Sequence, residues 1–560
     1  MKKQKTPGHS RQASRGGARR LAVLAMSLAL AVGGLGTAAG GASADTAPAN
    51  PNDPRTPVTV SADALPTAQH NGVAWQSTII GNTVYVVGKF SQARPAGAAP
   101  GTQNVPRSNI LAFDLTTGAL TSFAPKLNGQ ALAVTASPDG RRLYVGGDFT
   151  TVNGQPRSRL AALDPATGAL IDSFAPKVGG SVRSIVATGS FVYIGGNFTT
   201  VGSTARSRLA AVAANGGALL SWAPKANGRV NAMALSPDGQ QMVIGGAFTT
   251  MNGSGNPGFG LARVNALSGI NMSLGVNSVV RNGGDTAAIL SLHSDGTNFY
   301  GTGYHYKGGG NLEGAFSGNW SDGNLKWVQD CRGDSYGVWA SATAVYVASH
   351  SHSCVNLPGG GFPETKPQTW YRATAFSKAA TGVLAPTAWA SLRGKPAPSQ
   401  LAWYPALNTG TATGQYQGPW AVTGNSNYVV MVGEFTTANG TPQQGMVRFA
   451  GKGLAPNKQG PQVSGAAANP TAKYVSAGKV TVGWQANHDR DNEVLTYQVV
   501  RDGNVVHTVQ AVSRFYSRPT LSFTDSGLTK GQHTYQIVAK DGFGNTVRSG
   551  TVAVSVTAGG

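Results

Sequence analysis

The run Leu-Tyr-Val-Gly-Gly-Asp-Phe at residues 143–149 decides the fold, because the chain repeats it. Related runs, each an apolar stretch followed by glycine and an aromatic residue, occur at 84–90, 192–198, 242–248 and 429–435, with degenerate copies at 299–304 and 345–350. Successive copies lie 46 to 59 residues apart, except for a last step of 85. Four short strands in a repeat of this length are typical of a propeller blade. Seven copies therefore predict an all-β, seven-bladed β-propeller over residues 71–452.

The composition agrees with this interpretation. The chain has 560 residues, of which 77 are Gly and only 12% are charged. Glycine costs roughly 1 kcal/mol per helical position relative to alanine, which argues against a helix-rich protein. Solenoids are the alternative repeat architecture, but their periods are shorter or contain helices. The run 75–80 is a candidate for the strand that closes the ring, and the long interval near 360–420 indicates an insertion or an extra blade.

The basic charge divides into an export signal and a modest remainder. The formal net charge is +21, and seven of these charges lie in residues 1–44, which contain no acid. Arg19-Arg20, an apolar stretch and Ala42-Ser43-Ala44 match a signal peptide cleaved after Ala44. Sec export is favoured over Tat, since the residues after Arg20 fit the Tat pattern only in part. No later run of 18 apolar residues follows, so we expect no transmembrane segment and a secreted, extracellular or loosely cell-wall-associated protein.

Two cysteines, Cys331 and Cys354, are present in this exported chain. An even count in an oxidising compartment favours one disulfide bond. A metal-binding or redox pair is the alternative, but the spacing is not that of a C-x-x-C motif. We expect the bridge to contribute about 3 kcal/mol by shortening the unfolded chain.

A second domain is predicted after the propeller. Residues 45–70 form an N-terminal extension, and the Gly- and Pro-rich residues 453–464 form a linker. Alternating strands over 465–558 predict a small β-sandwich. This segment resembles fibronectin type III domains, with Trp484 at the place of the core tryptophan and Leu528 and Tyr535 at the tyrosine corner.

The propeller half also resembles a family, the secreted propeller proteins of actinobacteria that carry a C-terminal fibronectin type III module. The likeness lies in the Gly-Gly-x-Phe repeats, in the run 331–334 with Cys354, and in Gly418-Pro419-Trp420. The family has no agreed activity. Fibronectin modules of exported bacterial proteins often accompany carbohydrate-active enzymes, so the resemblance implies a polysaccharide ligand.

The repeats provide an internal comparison that separates structural from candidate functional residues. Repeated basic positions, such as Arg159 and Arg208, are interpreted as hydrogen-bonding between blades, or as a basic rim for acidic glycans. The repeats lack the aromatic-plus-basic clusters of single-strand binders, so we expect no nucleic-acid partner. Seven of the ten tryptophans and four of the nine histidines lie in the divergent stretch 293–420. Aromatic faces suit sugar rings, which makes these residues candidate ligand-binding groups: His305, Trp370, Tyr371, Trp403, Tyr404 and Trp420.

The sequence also leaves open a metal site and a hydrolytic site. His350 and His352 would share one face of a strand, so a divalent metal is a possible cofactor, although hydrogen-bonded structural histidines are the commoner outcome. Glycoside hydrolysis needs a pair of carboxylates, and the candidate catalytic acids are Asp334, Glu434 and Asp330, with Asp285, Glu313 and Glu364 as further non-consensus acids. The acidic run 488–493 predicts a solvated turn or, alternatively, a calcium site.

The sequence therefore predicts a monomeric surface or extracellular protein that binds polysaccharide or cell-wall glycan. A carbohydrate-active hydrolase acting on glycosidic bonds is the first alternative. A protein–protein scaffold at the cell surface is the second.

Overall fold

The computed structural model describes residues 53–557, so the predicted signal peptide, residues 1–44, lies outside the described residues. Between 53 and 557 the regular structure is β-strand apart from two short 3₁₀ turns, Gly275–Ser278 and Ala466–Ala468. The all-β prediction is confirmed. None of the helices in this range is long and apolar enough to span a bilayer.

Seven antiparallel sheets follow one another between residues 73 and 450, and we number them 1 to 7 in chain order. The strands of sheets 1 to 4 are Val73–Ile80, Thr83–Lys89 and Ile110–Asp114; Ala131–Ala136, Leu143–Gly147 and Leu160–Leu163; Val182–Ala187, Phe191–Gly196 and Leu209–Ala213; and Val230–Leu235, Gln241–Gly246, Leu261–Asn265 and Asn271–Met272. The strands of sheets 5 to 7 are Ala287–Ser294, Asn298–His305, Gly314–Asn319 and Leu325–Gln329; Ser335–Ala340, Ala344–Ser351 and Tyr371–Ser377; and Pro419–Gly424, Tyr428–Gly433 and Met446–Ala450.

Shorter strands pair outside these sheets. They are Gln69–His70, Gln92–Arg94 and Val105–Pro106; Thr151–Val152 with Gln155–Pro156; Thr200–Val201 with Thr204–Ala205; Gly382–Val383 with Pro396–Ala397; and Thr437–Ala438 with Thr441–Pro442.

The first strands of the seven sheets form a closed ring. Each contacts the first strand of the next sheet, and the first strand of sheet 7 contacts that of sheet 1. Residues from these strands line a central channel. Each copy of the repeated sequence motif lies on the second strand of one sheet. Sheets arranged radially around a channel define a β-propeller, and the predicted propeller fold is confirmed.

The paired glycines of the repeat are required by close packing. A Cβ on Gly196, the second glycine of sheet 3, would lie 2.0 Å from the carbonyl oxygen of Ser181 at the entrance to the first strand of the same sheet. A Cβ on Gly195 would lie 2.6 Å from Cγ1 of Val230, in the first strand of sheet 4. Gly196 therefore allows the backbone of its own sheet's first strand to approach closely, and Gly195 allows sheet 4 to approach closely.

The ring is closed by residues 60–65, which lie within the predicted N-terminal extension. The backbone N–H groups of Ser61 and Leu65 donate to carbonyl oxygens of the last strand of sheet 7, each at 2.9 Å. The buried guanidinium of Arg448 in that strand donates to the carbonyl oxygens of Pro66 and Thr116. The expectation that 75–80 closes the ring is wrong, because this run already pairs within sheet 1 as its innermost strand.

Two sheets over residues 471–556 form a β-sandwich with one shared core. Its strands are Thr471–Ser476, Lys479–Gln485 and Thr520–Ser526 in one sheet, and Val494–Arg501, Asn504–Val512, Gly531–Lys540, Thr546–Arg548 and Val552–Val556 in the other. Trp484 is buried in this core. The hydroxyl of Tyr535 donates to Asp525 Oδ2 at 2.8 Å, and Arg501 donates to the same carboxylate at 3.0 Å. The sandwich thus has a buried polar anchor beside its aromatic core.

The sandwich packs directly against the propeller. The ring of Phe515 lies 4.4 Å from that of Tyr404, 4.8 Å from that of Tyr371 and 6.0 Å from that of Phe362. Apolar contact of this kind fixes the sandwich beside sheet 6.

Candidate functional site

Each of the seven sheets carries a β-bulge at the same place in its first strand. In sheet 3 the pairing with the second strand shifts between Val182 and Ser184, and Arg183 is the extra residue. The other six sheets show the same shift. A bulge leaves one residue outside the ladder and redirects its side chain.

The extra residues all line the central channel, a cavity of about 220 Å³. We call them the channel ring: Trp75, Leu132, Arg183, Asn231, Leu290, Tyr336 and Trp420. The surrounding strands repeat, but this position differs from sheet to sheet. The channel ring is therefore where a repetitive scaffold presents a specific surface.

Three aromatic residues form one side of the channel ring. The rings of Tyr336 and Trp420 lie 4.5 Å apart, and those of Trp420 and Trp75 lie 5.2 Å apart. Trp75 Nε1 donates to Gln130 Oε1 at 3.1 Å, and Trp420 Nε1 donates to Glu434 Oε1 at 3.3 Å. Both indoles are thus held in place, and both remain partly exposed. This wall can contact the C–H face of a sugar ring.

The opposite side of the channel ring is polar and basic. Asn231 is fully engaged, since its amide donates to the carbonyl oxygen of Ile289 at 3.0 Å and its Oδ1 accepts from Arg229 Nε at 3.0 Å. Arg183 is different, because its Nε is buried and has no hydrogen-bond partner. Burial lowers the pKa of Arg183, and the charge of Arg229 acts in the same direction.

Behind Tyr336 lies a cluster of titratable side chains around the segment that joins sheets 5 and 6. Its members are Glu313, Asp330, Asp334 and His350. The predicted disulfide Cys331–Cys354 is present, and it ties this segment to the end of the second strand of sheet 6. Backbone hydrogen bonds of 3.0 Å from His350 to Asp334 and of 2.9 Å from His352 to Arg332 run beside it. The bridge therefore fixes the residues that frame this side of the channel.

The hydroxyl of Tyr336 lies between a histidine and a carboxylate. It is 2.9 Å from His350 Nδ1 and 3.5 Å from Asp334 Oδ2. His350 Nδ1 is also 3.0 Å from Gln417 Oε1. An amide oxygen can only accept, so Nδ1 carries the imidazole proton and the hydroxyl is left to donate to Asp334. Burial lowers the pKa of His350, which favours the neutral form of the ring.

Two buried carboxyls near this cluster have raised pKa values. Burial raises the pKa of Asp334 to about 7, and the neighbouring charge of Glu313 adds to the effect. Burial raises the pKa of Asp330 to about 7 as well, and its Oδ1 has no hydrogen-bond partner. Glu313 Oε2 accepts from the backbone N–H of Gly333 at 3.1 Å. A carboxyl protonated near neutral pH can act as a general acid.

A second cavity, of about 500 Å³, lies beside this cluster. Glu313, Arg332, His352 and the exposed Trp389 are among its lining residues. The ring of His305 lies 5.5 Å from that of Trp389, and neither of its nitrogens has a hydrogen-bond partner. The structure thus places His305 near the cluster rather than in the channel.

Glu434 has a structural environment. It is buried, and its carboxylate accepts from the Thr413 hydroxyl at 2.6 Å, from the Thr413 backbone at 2.8 Å and from Trp420 Nε1. These bonds occupy both oxygens, so Glu434 holds the loop before sheet 7 and positions Trp420. Its environment does not fit the catalytic role considered from the sequence.

The other aromatic candidates do not meet in one pocket. Trp403 has no exposed surface and packs against Tyr346 and Phe449 in the core. Tyr404 and Tyr371 pack against the sandwich. Trp370 is exposed, with the Arg372 guanidinium 5.9 Å from its ring. Of the predicted ligand-binding residues, only Trp420 lies in the channel ring, and buried Trp403 is closed to any ligand.

No group of three or more His, Cys, Asp or Glu side chains within residues 53–557 is arranged to hold a metal. His350 is engaged by Tyr336 and Gln417. His352 Nδ1 lies 3.8 Å from Glu364 Oε1. His350 therefore has the surroundings of a hydrogen-bonded structural group, whereas the buried Nδ1 of His352 has no hydrogen-bond partner.

The acidic run 488–493 is buried at the contact between propeller and sandwich, so the expectation of a solvated turn is wrong. Asp491 Oδ2 accepts from the backbone of Ala62 and, at 3.0 Å, from the Ser61 hydroxyl. Lys452 Nζ donates to the carbonyl oxygen of Asp491 at 2.6 Å. The Tyr404 hydroxyl donates to the carbonyl oxygen of Asp489. These hydrogen bonds hold the run against the propeller, while Asp489 Oδ2 is buried without a hydrogen-bond partner.

Sequence reasoning missed six of the seven channel-ring residues. Arg183 and Asn231 look like ordinary exposed positions of alternating strands, and the bulge that redirects them is not visible in the sequence. A signal was nevertheless present, because this position varies while its neighbours repeat. Tyr336 and Gln417 were missed for a different reason, since they are connected only through His350, which Gln417 reaches from the loop before sheet 7.

The fold and the channel define the protein as a β-propeller. Residues 138–170 match the family model described as "Domain of unknown function (DUF5122) beta-propeller". No curated protein matches the chain. Among solved structures, the chain is similar to the β-propeller domain of Myceliophteria thermophila Cps50 (Swd1), at 10% identity, over 69% of this chain and 99% of that one, with a TM-score of 0.39. It is also similar to a chain of a Mitotic Checkpoint Complex crystal structure, at 13% identity, over 70% and 95%, with a TM-score of 0.37.

Proposed function

We propose that the protein is a secreted or cell-wall-associated, seven-bladed propeller with a fibronectin type III-like module, and that its channel ring binds polysaccharide. The observation that carries the proposal is the channel ring itself. Seven bulged side chains converge on one cavity, and three of them form a continuous aromatic wall. Aromatic walls bind the C–H faces of sugars and leave the hydroxyls free for polar groups.

The size of the channel supports a small binding unit. A cavity of about 220 Å³ is below the roughly 300–1,000 Å³ of typical small-molecule pockets. The ligand is therefore one sugar ring, or the end of a chain. The sandwich packs beside sheet 6. On this proposal it would hold the propeller in a fixed orientation relative to the polysaccharide whose end the channel binds.

Binding of the purified protein to a glycan array, followed by titration of the sugars that bind, tests the proposal. Trp420→Ala should weaken binding roughly tenfold, because it removes the centre of the aromatic wall. Trp370→Ala is the matched control, since that exposed indole lines neither the channel nor the second cavity. Equal loss in both variants, or no loss in Trp420→Ala, would contradict the proposal.

A glycoside hydrolase is the second candidate, and one observation favours it. Glu313 lines the second cavity, and its charge adds to the burial that raises the pKa of Asp334 to about 7. A protonated acid next to a second carboxylate is the pairing that glycosidic hydrolysis needs. Release of reducing ends by the wild type, abolished in Asp334→Asn, would establish hydrolysis. Binding without release supports a binding protein, and neither binding nor release favours a protein–protein scaffold.

A further inference from the structure

Arg183 is the one polar member of the channel ring whose polar group is unused within the protein. The indoles of Trp75 and Trp420, the Tyr336 hydroxyl and the Asn231 amide all hydrogen-bond to protein groups. Among residues 53–557, no hydrogen bond or ion pair engages the guanidinium of Arg183. Since Nε is buried, the two terminal Nη groups are the donors that remain available to a molecule in the channel.

The charge around Arg183 is not balanced by the protein. Arg229 repels it, while Asp148 attracts it. The Asp148 carboxylate is, however, already bound by Gln130 Nε2 at 2.7 Å and by the Ser181 hydroxyl. These neutral donors hold the carboxylate in place without changing its charge, so two cations and one carboxylate leave one excess positive charge beside the channel wall. A partly buried cation without a partner costs free energy unless an anion arrives.

We infer that the channel ring selects a sugar that carries an oxyanion group, with the anion on Arg183 and the sugar ring on the wall of Trp420 and Trp75. This inference rests on the proposed function and specifies its substrate class. A guanidinium offers a planar fork of donors that matches a carboxylate, sulfate or phosphate in two-point contact. The apolar Leu132 and Leu290 complete the channel ring and offer no competing polar group.

Titration of the purified protein, followed by isothermal titration calorimetry, tests this selectivity. The probes are glucuronic acid, glucose 6-phosphate, glucose and inorganic phosphate. The wild type should bind at least one acidic sugar about tenfold more tightly than glucose, as a charge-assisted hydrogen bond provides. Carboxylate and phosphate are distinguished by which of the two acidic sugars is preferred.

Arg183→Gln should remove the preference for acidic sugars over glucose. Arg141→Gln, which deletes the same charge from an exposed turn, should retain the preference. Equal unfolding temperatures of these variants would confirm that the channel is intact.

The possible failures are distinguishable. Binding of glucose and acidic sugars with equal affinity overturns the inference and leaves the proposed function standing. A preference that persists in Arg183→Gln also overturns the inference. Binding of inorganic phosphate that depends on Arg183, with no sugar bound, overturns both and leaves only an anion site.

Discussion

Substitution of Gly195 tests the contact between neighbouring sheets most directly. In Gly195→Ala the new Cβ would lie 2.6 Å from Cγ1 of Val230 and 3.4 Å from Sδ of Met233. Carbon atoms in favourable contact are about 3.5–4.0 Å apart, so sheet 4 must move by about 1 Å. Overpacking of this kind costs about 1–3 kcal/mol of unfolding free energy.

The new methyl group at position 195 clashes with the Val230 side chain, so shortening that side chain should remove the clash and its cost in stability. Val230→Ala alone removes two methyl groups from a fully buried position, at about 2 kcal/mol. In the double variant the new methyl group at position 195 occupies part of the space that Val230 leaves. The double variant should therefore be no less stable than Val230→Ala, which gives a coupling energy of about 1–3 kcal/mol.

Urea unfolding of the four proteins, followed by tryptophan fluorescence, measures this coupling. Gly196→Ala combined with Val230→Ala is the matched control, because the Cβ of residue 196 meets the backbone oxygen of Ser181 and has no side chain to displace. Gly189→Ala, where nothing lies within 4 Å, should not destabilise the protein. Additive losses for residues 195 and 230 would refute the contact between sheets 3 and 4.

Three further predictions concern other parts of the molecule. Replacing Cys331 and Cys354 by Ser should lower the unfolding free energy by about 3 kcal/mol for a bridge across 23 positions; equal stability in urea would contradict this. Asp334, whose pKa of about 7 exceeds the unfolded value of about 3.9, holds an extra proton in the folded state between about pH 4 and 7. Stability should therefore fall as pH rises through that window, and Asp334→Asn should reduce the fall in melting temperature; an unchanged profile would count against the buried carboxyl. Tyr404→Phe, which removes the hydroxyl contact to the sandwich, should cost about 1 kcal/mol and speed proteolysis of the linker, whereas cleavage at the wild-type rate would argue against that anchor.

The repeated motif made the propeller predictable, because steric needs recur in every sheet. Gly195 and Gly196 meet the same kinds of neighbour as the glycines of other sheets, so the sequence shows them as a period. Trp484 was predictable for a similar reason, since a lone tryptophan among alternating strands belongs in a sandwich core.

The candidate site was less predictable, because it depends on register and on contacts between sheets. A large aromatic residue looks the same in sequence whether it is buried, as Trp403 is, or faces a channel, as Trp420 does. The acidic run 488–493 resembles a solvated turn until the propeller covers it. Comparison between repeats identified the divergent sheets 5 to 7 but not Arg183, which lies in a sheet that follows the consensus closely.

The bulge separates the residues of each first strand that pair with the second strand from the one residue that does not. An extra residue outside the ladder carries no pairing requirement, and its side chain faces a cavity rather than an adjacent sheet. The strand pairing leaves all seven positions free to vary, although Trp75, Tyr336, Trp420 and Asn231 also contact neighbouring sheets. On the proposed function, substitutions at these seven positions would change the ligand preference of the channel and leave the strand pairing of each repeat unchanged.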